Sequence, residues 1–379
     1  MKILSVVGAR PNFIKISPIV NELRRVEGVT HVLVHSGQHY DDGLSSAFFR
    51  DLSIPEPEVN LEVGSGTHAW QTAEIMTRLE PVLLEHRPDL VLVVGDVNST
   101  LAGALTAAKL GFRIAHVEAG LRSFDLSMPE EINRKLTDAI ADVLFASEES
   151  GVQNLRKEGV PAERIFLVGN VMVDTLLEHL DRARKSQILA HLGLLHESGK
   201  PVDYAVVTIH RPSNVDSSGA FGKIVGAIEE LSRELPVIFP VHPRTRQRLA
   251  QRSSQGVKPE HTQQRGLILL EPLGYLDFIS LMARARIVLT DSGGIQEETT
   301  ALGVPCLTLR KSTERPATVN YGTNQVTGPD PARWMPAARE ILKGNYTKGP
   351  GVPLWDGRAS KRIVKVLAGS LPGCRTGVA

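Results

Sequence analysis

Apolar residues along this chain come in short, unbroken, β-branched runs, and the stretches between them carry apolar positions at helical spacing. Ile3–Val7, Val32–His35, Leu90–Val94, Ile114–Val117, Val143–Ala146 and Ile165–Leu167 are such runs. A continuous run, rather than an alternating one, marks a parallel strand covered on both faces. Helices fit about 14–26, 67–86, 98–109, 130–140 and 148–157, with Gly111 and Gly159 as stops. A further helix from about 171 leads into the polar stretch His196–Pro201, and the pattern then restarts. Tyr204–Ile209, Val237–Pro240, Leu267–Leu270, Ile287–Thr290 and Pro305–Leu309 are its strands, with helices at about 219–234, 275–284, 294–302 and 332–343. The pattern predicts an α/β chain of two Rossmann-like, doubly wound domains facing a cleft. The expected divisions are 1–168 and 171–355, with a last helix at 357–370 completing the first domain.

In such a fold the reactive crevice lies at the carboxyl ends of the strands. There, Ile287–Thr290 runs into Asp291-Ser292-Gly293-Gly294-Ile295-Gln296-Glu297-Glu298, a strand, glycine turn and helix start. Unbonded N–H groups at a helix start hold phosphate or another anion. Carboxylates beside that turn suit a ligand that also carries hydroxyls, such as a sugar diphosphate. Ser292, Gly293 and Gly294 read as the cradle and Glu298 as the acceptor for a ribose diol. Gly8-Ala9-Arg10-Pro11 with Lys15 places positive charge at the end of the first strand. Its single glycine is not the Gly-x-Gly-x-x-Gly series of dinucleotide sites, so no nicotinamide cofactor is expected.

The acidic candidates lie in the first half. Asp96 ends one strand, and Asn98 or Ser99 can cap the following helix in its place. Glu118 ends another, where burial costs free energy unless the carboxylate is paired, with Arg122 as a candidate partner. Pro129 opens a helix with Glu130 and Glu131 in its first turn, which favours negative charge in any helix. Together Asp96, Glu118 and Glu130 could divide the work of acid and base. In the second half, His210, Arg211, His242 and Arg244 follow strand ends and Arg315 follows the next, a cationic set suited to a diphosphate. Their spacing fits no short metal motif, so no protein-bound metal is expected.

Composition narrows the picture further. The 379 residues suffice for two domains, and a formal net charge of +1 provides no broad field toward nucleic acid or membrane. Two cysteines, Cys306 and Cys374, make no disulfide framework; Cys306 reads as a small buried apolar residue. The N-terminal apolar run is too short for a signal peptide, and no stretch approaches the roughly 20 residues that span a bilayer. A cytoplasmic protein is the expectation.

Gly8-Ala9-Arg10-Pro11 with Lys15, Gly95-Asp96, His116-Val117-Glu118-Ala119-Gly120-Leu121-Arg122, Pro129-Glu130-Glu131, His210-Arg211, Pro240-Val241-His242-Pro243, Thr290–Glu298 and Glu314-Arg315-Pro316 also occur in a familiar order. Over nearly its whole length the chain resembles the non-hydrolysing UDP-N-acetylglucosamine 2-epimerases. The resemblance implies a glycosyltransferase B-type fold and reversible conversion of UDP-N-acetylglucosamine to UDP-N-acetylmannosamine, usually by a cytoplasmic homodimer in polysaccharide biosynthesis. No cofactor is implied: UDP leaves by anti elimination, giving 2-acetamidoglucal, and adds back syn. The C2 proton is poorly acidic, so cationic groups that stabilise the departing diphosphate make the elimination feasible. By the same resemblance Asp96, Glu118 and Glu130 are the acid/base and sugar-orienting carboxylates, and His210 assists the departure of UDP. Arg10, Lys15, Arg211, His242, Ser292, Gly293, Gly294, Glu298 and Arg315 bind the UDP-sugar, and Gln38, His39 and Arg122 a second, activating UDP-N-acetylglucosamine.

One departure stands out. Many family members follow His210-Arg211 with Glu-Asn, whereas this chain has Pro212-Ser213-Asn214, so Ser213 removes a carboxylate. Related epimerases act on UDP-2,3-diacetamido-2,3-dideoxy-glucuronic acid, and the shared motifs do not separate the two groups. A glycosyltransferase of the same fold, a hydrolase of the same substrate and a non-catalytic nucleotide-sugar-binding protein are the other readings. The carboxylate cluster argues against transfer, which needs no base at C2.

Overall fold

The computed structural model describes residues 1–37, 56–242, 245–249 and 266–369. Gln38, His39, Tyr40, Asp41, Arg244 and Cys374 lie outside the described residues, as does the Arg10 side chain. The chain forms two compact units, Met1–Glu178 with Pro353–Ala379, and His179–Val352, so the division falls inside the helix Val171–Ala183.

The first unit is built on a parallel sheet of β1 (Lys2–Val7), β2 (Thr30–His35), β3 (Val59–Asn60), β4 (Leu90–Val94), β5 (Arg113–Ala119), β6 (Val143–Ala146) and β7 (Ile165–Leu167), in the order β3-β2-β1-β4-β5-β6-β7. Its central strands are apolar on both faces because helices cover both: all five residues of β4 are buried. The order reverses at β1, whose neighbours are β2 and β4. Crevices for ligands form at such a switch point. The last helix, Ala359–Ala368, packs on Arg10–Leu23 in this unit. Asp174 caps it from a distance, accepting from the Ala359 and Ser360 amides at 3.0 and 2.7 Å.

The second unit repeats the plan with β8 (Ala205–Thr208), β9 (Val237–Pro240), β10 (Leu267–Leu270), β11 (Ile287–Thr290), β12 (Cys306–Thr308) and β13 (Asn324–Val326), in the order β10-β9-β8-β11-β12-β13. Ile228, Val237, Ile287, Leu307 and the fully buried Trp334 share one of its cores. Cys306 is buried here, and loss of solvent pushes its thiol up to about 12, against hydrogen bonds from Thr299 and Thr308. The thiol is inert packing at neutral pH.

Two short edge strands, β3 and β13, and the short helices Ile188–His191, Pro212–Val215 and Pro316–Asn320 are additions to the pattern read from sequence. The first helix starts at Arg10 rather than near 14, because Asn12 folds back on the turn: its Oδ1 accepts from the Ala9 amide at 3.1 Å. Among the described residues no helix is long and apolar enough to cross a membrane.

Candidate active site

In the first unit the chemistry gathers where β1, β4 and β5 end. Asn12 links two of these ends, since its Nδ2 donates to the Val94 carbonyl at 2.8 Å. One turn further along that helix, Lys15 reaches Glu118: Nζ lies 2.8 Å from Oε1, with the two side chains 6% and 3% exposed. Glu118 has φ +72°, the left-handed region, and the register of β5 against β6 slips between Val117 and Ala119. A non-glycine residue held there costs about 1–3 kcal/mol, and such strain persists where surrounding contacts dictate it. The bulge turns a side chain at the end of a buried strand toward Lys15. The partner of Glu118 is therefore Lys15, and Arg122, expected to pair with it, turns to Asp138 and Glu158.

Asp96 sits in the turn after β4. Gly95 precedes it with φ +71°, and a Cβ on Gly95 would lie 2.8 Å from Lys15 Nζ, so the Lys15–Glu118 pair lies against the turn that carries Asp96. Asn133 Nδ2 donates to the Asp96 carbonyl at 2.9 Å, and the buried Arg134 brings Nη1 to 3.3 Å from Asp96 Oδ2. Both residues belong to the helix Pro129–Ile140, whose first turn separates its two glutamates. Glu131 is buried and structural, accepting from the Ser123 and Phe124 amides. Glu130 is half-buried, which leaves it the glutamate of the pair that a ligand can reach.

In the second unit β8 and β11 run side by side, and Asp291, the residue after β11, governs both ends. It is fully buried and accepts from the His210 and Arg211 amides and from Asn214 Nδ2 at 3.0 Å. His210 Nδ1 lies 3.2 Å from Asp291 Oδ1, and its ring centroid is 5.7 Å from that of His242. Loss of solvent lowers the His210 pKa; Asp291 opposes this, and Arg211 and Arg310 add to it. Ser213 is exposed on the short helix, while the neighbouring Asn214 keeps a buried structural role.

The glycine turn is real: Ser292 precedes the helix Gly293–Leu302, and its side chain does not cap it. The first-turn N–H groups of Gly293 and Gly294 have no acceptor within their own helix, the arrangement that attracts anions. Arg315 lies directly beneath. Its Nε is 2.8 Å from Glu297 and its Nη1 2.5 Å from Glu314, all three buried. A Cβ on Gly293 would meet Arg315 Nη1 at 2.5 Å. Arg315, expected at the diphosphate, lies against the turn and is paired there with Glu297 and Glu314. Glu298 is buried as well and accepts from the Tyr275 hydroxyl at 3.2 Å.

The family model for UDP-N-acetylglucosamine 2-epimerases matches residues 21–368. This chain belongs to the UDP-N-acetylglucosamine 2-epimerase family. The UDP-N-acetylglucosamine 2-epimerase of Methanococcus maripaludis is 40% identical over 97% of this chain and 98% of its own. The UDP-2,3-diacetamido-2,3-dideoxy-D-glucuronate 2-epimerase of Pseudomonas aeruginosa is also 40% identical, over 97% and 99%. A crystal structure of the Methanocaldococcus jannaschii UDP-GlcNAc 2-epimerase, in complex with UDP-GlcNAc and UDP, superposes with a TM-score of 0.87 at 41% identity, covering 98% of this chain and 100% of that one. Its fold is the glycosyltransferase B type expected here.

In this epimerase several residues that shape the site carried no role in the sequence reading. Asp291, Asn133, Arg134, Asp138 and Glu297 are buried polar groups, each with a partner on another element. One signal was available for Asp291: like Asp96 and Glu118, it is a carboxylate at the carboxyl end of a buried parallel strand.

Proposed function

We propose that this epimerase interconverts UDP-N-acetylglucosamine and UDP-N-acetylmannosamine by elimination and re-addition of UDP. A carboxylate takes the C2 proton, the C–H electrons form the C1–C2 double bond, and the C1–O bond breaks, with UDP leaving with its electron pair. A proton then arrives on the opposite face of C2 as the UDP oxygen re-forms its bond to C1. Asp96, Glu118 and Glu130 act on the sugar. Arg211, His210 and the Gly293–Gly294 amides hold the diphosphate, and Glu298 accepts from the ribose.

The observation that carries this reading is the carboxylate set of the first unit. Glu118 is held in a left-handed bulge and paired with Lys15, and Asp96 is gripped by Asn133 and Arg134. Proton transfer at carbon needs such positioned acids and bases, while binding alone does not. The geometry favours pairing of Lys15 with Glu118 over a contact with UDP. Burial lowers the His210 pKa, which suits the ring to donate a hydrogen bond rather than a full charge to the leaving group. Arg122, sequestered by Asp138 and Glu158, is better suited to holding its own unit together than to binding an activator.

The Pseudomonas aeruginosa relative favours a second reading, epimerisation of the diacetamido-uronic acid nucleotide. Incubation with each nucleotide sugar separately, with product analysis by chromatography, decides between them. Turnover of UDP-N-acetylglucosamine is expected, and turnover of the uronic acid substrate alone would reassign the enzyme. A homodimer is the proposed assembly, checked by sedimentation equilibrium.

A further inference from the structure

The three carboxylates stand on different elements, yet one side chain ties their supports together. Asp138 lies on Pro129–Ile140, the helix whose first turn carries Glu130, and it is 1% exposed. Its Oδ2 accepts from the Gly120 amide at 3.0 Å and pairs with Arg122 Nη2 at 2.7 Å. Its Oδ1 is 2.6 Å from His116 Nδ1, and the other ring nitrogen of that fully buried histidine lies 2.8 Å from the Gly95 carbonyl. Gly95 precedes Asp96, and Gly120 follows Glu118 by two residues. Neither glycine's backbone can relax easily: both have positive φ, and a Cβ on Gly120 would lie 2.3 Å from the Gly151 carbonyl oxygen.

We infer that Asp138 is a positioning residue of the epimerase reaction, which through Gly120 and the His116 ring fixes the turns that aim Glu118 and Asp96. The proposal rests on the assignment of those two carboxylates to proton transfer. Asp138 and its partners are chemically matched to the task. Burial alone would raise the Asp138 carboxyl, but His116 and Arg122 hold it below the ordinary carboxylate range. It therefore remains an acceptor for both the ring and the backbone amide. Both nitrogens of His116 are engaged, one with Asp138 Oδ1 and the other with the Gly95 carbonyl, so the ring bridges the two. Replacing one carboxylate oxygen with an NH2 group leaves a single acceptor for the Gly120 amide, the Arg122 guanidinium and the His116 ring, and removes the negative charge that gathers them. The Gly95–Asp96 and Glu118–Gly120 turns are then released from a common anchor while the hydrophobic packing stays.

The test is Asp138→Asn in the full-length enzyme, beside wild type, Asp96→Asn and Glu158→Gln. Glu158 holds the outer side of Arg122 and is one-third exposed, so it reports what loosening Arg122 does by itself. Turnover, UDP affinity and thermal stability are measured, with kinetics well below each melting temperature. The expected result is a kcat lower by about 10- to 100-fold in Asp138→Asn, with UDP affinity changed by less than about twofold, and near-normal kcat in Glu158→Gln. A merely structural role predicts a lower melting temperature with kcat retained in the folded protein, and that outcome overturns the proposal. Should Asp138→Asn not fold, His116→Asn, which keeps a donor toward Asp138 but loses the Gly95 contact, must show the same split. Asp96→Asn keeps the two questions apart. If it is active, the carboxylate assignment itself fails; if it is inactive while Asp138→Asn works normally, only the positioning role fails.

Discussion

Lys15→Met isolates the interaction at the centre of the first unit's site. The Lys15–Glu118 pair is 2.8 Å apart, with side chains 6% and 3% exposed, so solvent and salt screen it poorly. At an effective dielectric of about 20, Coulomb's law gives an attraction of about 6 kcal/mol at that distance. Desolvation of both ions offsets much of this in the intact pair, but deleting one partner leaves the other's desolvation uncompensated, a loss of about 3–5 kcal/mol. For a unit of this size that corresponds to a fall in melting temperature of roughly 6–20 °C. Glu118→Gln removes the charge at the other end, so adding it to Lys15→Met relieves the penalty. Denaturant unfolding of wild type, both single variants and the double variant forms a thermodynamic cycle, with an expected coupling of about 2–3 kcal/mol. UDP binding, followed by calorimetry, should be unchanged in Lys15→Met, because this reading assigns Lys15 to Glu118. Additivity within about 0.5 kcal/mol would refute the pairing argument, and a large loss of UDP affinity would return Lys15 to the UDP-binding set.

Asp96→Asn, Glu118→Gln and Glu130→Gln should each lower turnover by about 100-fold or more while UDP affinity stays within a few-fold, as for groups acting in the transition state; steady-state kinetics with UDP calorimetry checks each, and a variant with intact turnover loses its assigned role. Gly293→Ala should weaken UDP binding by about tenfold, because the added Cβ meets the Arg315 guanidinium 2.5 Å away and displaces the turn; unchanged affinity would show that the turn is not the phosphate site. His31 supplies a pH test away from the chemistry. Desolvation lowers its pKa to about 4, with Glu58 opposing and Arg24 assisting. The unfolded chain takes up this proton near pH 6.5 and the native state only near 4, so stability falls as pH drops through that window, by about 2–3 kcal/mol. His31→Gln should flatten the decline between pH 7 and pH 4.5 in denaturant titrations, and an unchanged slope would contradict the assignment.

The sequence was most informative where burial writes a simple pattern. Leu90–Val94, Val143–Ala146, Ile165–Leu167 and Val237–Pro240 are strands with the bounds their apolar runs suggested. Val59–Asn60 and Asn324–Val326 escaped notice because two or three residues with polar members have no period, and pairing to β2 and β12 makes them strands. The same division holds in the site. A carboxylate at the end of a buried apolar run is visible in one dimension, which exposed Asp96 and Glu118. Which cation meets it is decided by which strands are neighbours. Lys15 meets Glu118 because the helix after β1 passes the ends of β4 and β5, across more than a hundred residues of sequence. Arg315 sits under the glycine turn for a similar reason, through two buried glutamates whose local sequence resembles an exposed helix and loop.

The central claim is that the C2 proton is removed and replaced on this enzyme without a cofactor. Proton NMR of the enzyme with UDP-N-acetylglucosamine in heavy water follows that proton directly. The account predicts UDP-N-acetylmannosamine appearing with deuterium at C2, and deuterium washing into C2 of the remaining substrate. Folded enzyme that binds the nucleotide sugar yet forms no epimer and exchanges no C2 proton would contradict it.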